Sequence, residues 1–102
     1  MIINNLKLKG IIEINLTPNE DSRGYFMRTY DKKIFESHGL HKNWVQENQS
    51  LSKKKGIIRG LHFQFPPHSE TKMIWAARGE IFVVFVDLRK KSQSFGQWIS
   101  TI

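Results

Sequence analysis

The longest apolar run in this chain is Ile81 to Leu88, IFVVFVDL, and Asp87 already interrupts it. Every other apolar run is shorter, and Gly, Pro, Asn and Asp recur between the runs. That pattern restricts the chain to short strands joined by tight turns, with room for no more than a brief helix. Ile81 to Leu88, rich in valine and phenylalanine, reads as a buried strand in which Asp87 needs a hydrogen-bond partner. Ile11 to Leu16 alternates weakly and reads as a strand ended by Thr17-Pro18-Asn19 and an acidic turn at Glu20-Asp21. Gly24 to Tyr30, GYFMRTY, is aromatic and strand-like. Asp31 is then placed to cap a short helix with Ile34 and Phe35 as its apolar contacts and Gly39 as its stop. Ile57 to Phe65 reads as a strand halted by Pro66-Pro67, and Lys72 to Arg78 as its antiparallel neighbour. Phe95 to Ile102 begins a further strand through Trp98 and Ile99. Roughly seven short strands and one helix predict an all-β, antiparallel sandwich or barrel.

At 102 residues the chain fits one domain, 1–102, with no repeat or linker. Burying about 60–70% of its unfolded surface leaves such a domain modestly stable. There is no cysteine, hence no disulfide framework and no thiolate chemistry, which fits a reducing cytoplasm. The opening MIINNLKLKG lacks the apolar run of a signal peptide, and nothing later approaches a membrane span. The expectation is a soluble, cytoplasmic protein. A formal charge of +7 favours anionic partners. The densest basic clusters, Lys53-Lys54-Lys55 and Arg89-Lys90-Lys91, lie between strand-like segments, where solvated turns account for them. The sequence carries no recognition helix, zinc module or aromatic RNA platform of the kind that nucleic-acid binding requires.

The residue types able to do chemistry concentrate in Gly56 to Arg78, which holds Arg59, His62, His68, Glu70 and Lys72. Strict alternation along the strand would send Arg59 and His62 to opposite faces; a bulge at Gly60 would bring them to one face. Gln46, Glu47 and Asn48, in the polar middle of Trp44 to Leu51, fit either a wet ligand cavity or an edge strand facing solvent. Two chemical readings compete for His62. The spacing from Gly56 to His62 is similar to the opening of the cupin metal motif, yet the second ligand position holds Gln64, and His68 and Glu70 follow a double proline. One firm ligand is too few for zinc or iron. Without metal, histidine is the side chain whose titration near neutrality suits a general base. Lys72 can then oppose charge developing on an enolate oxygen, and Arg23 and Arg59 can grip phosphate oxygens in bidentate fashion. That set suits proton abstraction beside a carbonyl in an anionic substrate.

Asp21-Ser22-Arg23-Gly24-Tyr25-Phe26, Val45-Gln46-Glu47-Asn48, Arg59-Gly60-Leu61-His62-Phe63-Gln64, Lys72, Gly79-Glu80-Ile81-Phe82 and Val86-Asp87-Leu88-Arg89 together resemble the dTDP-4-dehydrorhamnose 3,5-epimerase family. The resemblance runs through nearly the whole chain, with several separate motifs in order. It implies a cupin-type jelly roll that forms a homodimer, acts on a dTDP-4-keto-6-deoxy-sugar in dTDP-rhamnose biosynthesis for cell-surface polysaccharide, and uses no metal or organic cofactor. By the same resemblance His62 is the base at C3 and C5, and Lys72 steadies the C4 enolate. Arg23, Arg28, Gln46, Glu47, Asn48 and Arg59 fall on substrate-contact positions.

Two departures accompany the match. Where the family commonly carries a substrate-contacting glutamate, this chain has Arg28. The family's chain is also longer, and its tyrosine proton donor, a second histidine and the aspartate paired with the base correspond to positions past Ile102. The expectation is therefore an N-terminal fragment of such an enzyme with impaired turnover. A non-catalytic sugar-nucleotide-binding module and a small metal-dependent cupin are the alternatives.

Overall fold

The computed structural model describes residues 1–40 and 43–102. The chain divides into two compact units, one formed by Met1–His41 with Phe82–Ile102 and the other by Lys42–Ile81.

The first unit contains the regular elements among the described residues. Strand β1 (Ile2–Asn5) pairs antiparallel with β2 (Ile12–Asn15), Ile3 opposite Ile14 and Asn5 opposite Ile12. Their turn is closed by Leu6 N–H donating to the Ile11 carbonyl at 3.0 Å and Ile11 N–H donating to the Leu8 carbonyl at 3.1 Å. Leu8 tucks inward and is only 3% exposed. Strand β3 (Asn19–Asp21) pairs with β4 (Gly24–Phe26) around Ser22-Arg23, so Glu20 and Asp21 belong to a strand and not to the expected acidic turn. The turn falls two residues later because Gly24, at φ +129, adopts backbone angles that other residues avoid. Asp21 Oδ1 also accepts the Arg23 backbone N–H at 2.8 Å.

The helix α1 (Lys32–Ser37) begins and ends as its sequence requires. Asp31 is extended and accepts the Ile34 N–H at 3.1 Å. At the other end Gly39, at φ +74, donates to the Glu36 carbonyl and Leu40 donates to the Phe35 carbonyl. That pair of bonds is the Schellman arrangement, which satisfies carbonyls the helix leaves without partners. Phe35, 1% exposed, is the largest fully buried side chain, and its ring meets Tyr30 edge-on at 4.8 Å between centroids.

Strand β5 (Val83–Val86) pairs with β6 (Trp98–Thr101), Phe85 opposite Ile99. The expected strand over Ile81 to Leu88 is thus shorter, and it is half-buried. Asp87 finds its partners in the loop that follows: Oδ1 accepts from Arg89 N and Nε, while Oδ2 accepts from the second Arg89 nitrogen and from the hydroxyls of Ser92 and Ser94 at 2.6 Å. Five donors converge on a carboxylate that is 5% exposed. The Arg89 guanidinium, the Ser92 and Ser94 hydroxyls and the Arg89 backbone N–H hold this carboxyl far below the usual carboxylate range, against the opposing effect of burial.

In the second unit no helix or strand forms among the described residues. The expected strands Ile57 to Phe65 and Lys72 to Arg78 have no ladder, and Trp44 to Leu51 has none either. The reason is lack of cover. Strand propensity expresses a fit to a pleated, half-buried surface, whereas here Ile58 is 88% exposed and Leu61 and Phe65 are each 74% exposed. Local order persists where side chains supply it. Phe63 and Phe65 pack edge to face at 4.9 Å, and His68 N–H donates to the Phe65 carbonyl across Pro66-Pro67. Among the described residues the regular structure is therefore mostly β with one short helix, built from two-stranded antiparallel sheets.

Candidate functional site

The first unit carries two of the expected substrate-contact residues. Arg23 sits at the β3–β4 turn, where its Nε and one terminal nitrogen clasp the Asp21 carboxylate at 2.6–3.3 Å. The guanidinium and the Arg23 backbone N–H together lower the Asp21 pKa, and the carboxylate raises that of Arg23. The Arg23 side chain is nonetheless 88% exposed. Arg28, just beyond β4, bonds to Asp31 at 3.1 Å. It also lines a half-open pocket of about 300 Å³ with Met1, Thr17, Asn19, Phe26 and Ile34. This pocket escaped the sequence reading. The signal was present in the spacing of Arg28 and Asp31, which lets one carboxylate serve both the helix and the arginine.

The second unit carries the remaining expected residues. Arg59 donates from Nε to the Ser52 hydroxyl and from a terminal nitrogen to the Leu51 carbonyl, each at 3.2 Å. It is thereby folded back onto the stretch that contains Gln46, Glu47 and Asn48, all three exposed. His62 is exposed. Its ring lies over Gly60, where an added Cβ would come within 2.5 Å of Nδ1. At φ +108 Gly60 also has backbone angles unfavourable to a side chain. The bulge expected there does not arise, because there is no ladder to interrupt. Lys72 forms an ion pair with Glu70 at 2.8 Å, both side chains nearly half exposed. No hydrogen bond or ion pair joins His62 to Lys72 among the described residues. Among those residues, too, no group of three or more His, Asp or Glu side chains converges as a metal-ligand set, and no helix is long and apolar enough to cross a membrane.

Chemically, the two units hold an exposed imidazole, a lysine beside a carboxylate, and three arginines each already oriented by an oxygen of the chain. Guanidinium groups so held still present N–H donors that a phosphate or carbonyl oxygen can accept.

The profile of the dTDP-4-dehydrorhamnose 3,5-epimerase family matches residues 5–102. A dTDP-4-dehydrorhamnose 3,5-epimerase of Methanothermobacter thermautotrophicus is 46% identical over 91 residues, covering 89% of this chain and 48% of that protein. Its counterpart in Shigella flexneri is 44% identical over 80 residues, covering 78% and 44%. That of Mycolicibacterium smegmatis is 36% identical over 99 residues, covering 96% and 49%. The chain thus spans about half the length of the curated relatives it matches. No solved structure matches it. With a family profile covering nearly every residue and relatives well above 30% identity, the chain belongs to the dTDP-4-dehydrorhamnose 3,5-epimerase family.

Proposed function

We propose that this chain binds a dTDP-4-keto-6-deoxy-sugar and supplies the base and the enolate-stabilising cation for epimerisation beside the C4 carbonyl. The observation that carries the reading is the family match over residues 5–102, within which His62, Lys72 and the arginines stand in order. His62 takes the proton from C3, the C–H electron pair moves into the C4 carbonyl, and the Lys72 ammonium opposes the resulting enolate charge. Return of a proton to C3 from the opposite face inverts the centre, and the same sequence at C5 inverts the second. Arg23, Arg28 and Arg59 bind oxygens of the nucleotide or sugar, with Gln46, Glu47 and Asn48 completing the contacts. Inversion requires an acid on the face opposite the base. The phenols of these residues are Tyr25 and Tyr30, and neither corresponds to the family's donor position, so slow proton exchange without inversion is the most that these 102 residues on their own should give. The same reading places the residues in a jelly roll of a cytoplasmic homodimer, a setting that would cover the exposed apolar side chains of residues 43–81.

The test is deuterium uptake at C3 and C5 of dTDP-4-keto-6-deoxyglucose in heavy water. The unaltered chain should wash label into C3, and His62→Ala should abolish that exchange while holding affinity for the sugar nucleotide within about tenfold, since binding rests on the charge-assisted contacts of the arginines. Undiminished exchange in His62→Ala would exclude His62 as the base. Binding with no exchange in the unaltered chain would assign it instead to the non-catalytic binding class.

A further inference from the structure

We propose that Asp31 is a positioning residue for ligand binding: its carboxylate caps α1 and at the same time aims the Arg28 guanidinium into the pocket formed with Thr17, Asn19, Phe26 and Ile34. The inference rests on the reading that Arg28 contacts the sugar nucleotide, and it adds how that contact is made.

The division of labour is visible atom by atom. Asp31 Oδ1 accepts the Ile34 backbone N–H at 3.1 Å, and Oδ2 accepts from one terminal nitrogen of Arg28, also at 3.1 Å. The Asp31 side chain is 24% exposed and fixed by its cap bond, whereas that of Arg28 is 60% exposed. The anchored partner therefore sets the direction of the freer one. Arg28 keeps its Nε and second terminal nitrogen for a ligand, and no other described residue accepts a hydrogen bond from them. A guanidinium only donates, so the group it receives is an acceptor oxygen, that of a phosphate or a ring carbonyl. Phe26 and Ile34 give the same pocket an apolar wall, and Thr17 and Asn19 give it neutral polar groups.

A carboxylate next to an arginine has two opposed effects on an anionic ligand. It removes side-chain freedom that would otherwise be lost on binding, and it offsets part of the attracting charge. The offset acts at longer range, through solvent and salt that screen it, while the orientation acts directly on the donor atoms. Orientation should prevail, and its loss should weaken binding.

The experiment measures dTDP affinity by calorimetric titration for the 102-residue chain and for Asp31→Ser, Asp31→Asn, Arg28→Gln and the double variants. Serine and asparagine both cap helices well, so circular dichroism should report an intact α1. Each Asp31 substitution should weaken dTDP binding about three- to fivefold, the scale of an exposed ion pair, and should have no further effect in a chain that already carries Arg28→Gln. Tighter binding by Asp31→Asn would mean that charge offset dominates, and the proposal fails. An equal loss with and without the Arg28→Gln substitution would mean that Asp31 acts only through the helix, and it fails again. Unchanged affinity in Arg28→Gln, or no dTDP binding by the unaltered chain, would overturn the reading of Arg28 as a contact and this inference with it.

Discussion

Replacing Phe35 by alanine is the sharpest probe of what holds the first unit together. Phe35 is 1% exposed and, with Leu8, is one of two fully covered apolar side chains among the described residues. Truncating a buried phenylalanine typically costs about 3–5 kcal/mol, the larger values arising where the cavity cannot collapse. Here Tyr30, the edge-on ring partner, is itself 45% exposed and can move into the space, which places the cost near the lower end, about 3 kcal/mol. Loss of the aromatic pair, about 0.5–1.5 kcal/mol, is contained in that figure. A domain of this size has only about 5–15 kcal/mol of stability in total, so the substitution should lower the thermal midpoint by roughly 10–20 °C. Urea unfolding followed by circular dichroism and tryptophan fluorescence gives the number. Phe35→Leu, which keeps most of the buried volume, should recover much of it. A loss under about 1 kcal/mol for the alanine variant, with the slope on urea unchanged, would show that Phe35 is covered without being an anchor.

The depressed Asp87 carboxyl contributes stability that is fully present above its unfolded value near 3.8 and is lost progressively as pH falls below it. Asp87→Asn should therefore remove most of the difference in melting temperature between pH 5 and about pH 2.5; an unaltered acid dependence would count against the network. Gly39→Ala should cost about 1 kcal/mol, measured by urea unfolding, because the Schellman turn holds position 39 at φ +74. Gly39→Asn should cost less, and equal losses would argue against a conformational cause. Glu70→Gln frees Lys72 from a carboxylate at 2.8 Å and should raise deuterium exchange at C3, by no more than about fivefold since the pair is exposed; slower exchange would mean that Glu70 holds Lys72 in its working position.

Where the physics is local, the sequence was readable. Asp31, Phe35 and Gly39 marked the cap, contact and stop of α1 because each acts within a turn or so of its own position. Asp87 announced a need for partners, and the Arg89, Ser92 and Ser94 that meet it lie within seven residues. The β3–β4 hairpin was misplaced because Glu20 and Asp21 look like turn residues, while the decisive freedom belongs to Gly24. Strand β1 went unread, as Asn4 and Asn5 mask a ladder that depends on Glu13 and Ile12 across the hairpin. The stretch around His62 was the hardest for the same reason: its residues have strand propensity, but a strand needs a second backbone and a surface to cover. The family motifs name Arg23, Arg59, His62 and Lys72, yet they carry no information about which groups within this chain hold them.

The carboxylates that hold three of the cations share one feature. Arg23 faces Asp21, Arg28 faces Asp31 and Lys72 faces Glu70, each pair separated by no more than three residues. Pairs so close in sequence form with little loop closure and bind weakly when exposed to water. A phosphate can share such a cation, because each carboxylate occupies only part of its partner's donor set. On the proposed reading, such pairing would keep the cations aligned while leaving donors for a ligand oxygen. Arg89 makes the contrast: its partner Asp87 is buried and satisfied by five donors, so that arginine is committed to the fold. Salt should separate the two classes. If Arg23 and Arg28 bind dTDP as proposed, raising ionic strength should weaken that binding while leaving the acid transition that depends on Asp87 nearly where it was. A titration series at rising salt, set beside acid unfolding at the same concentrations, measures both; equal sensitivity of the two would refute the distinction.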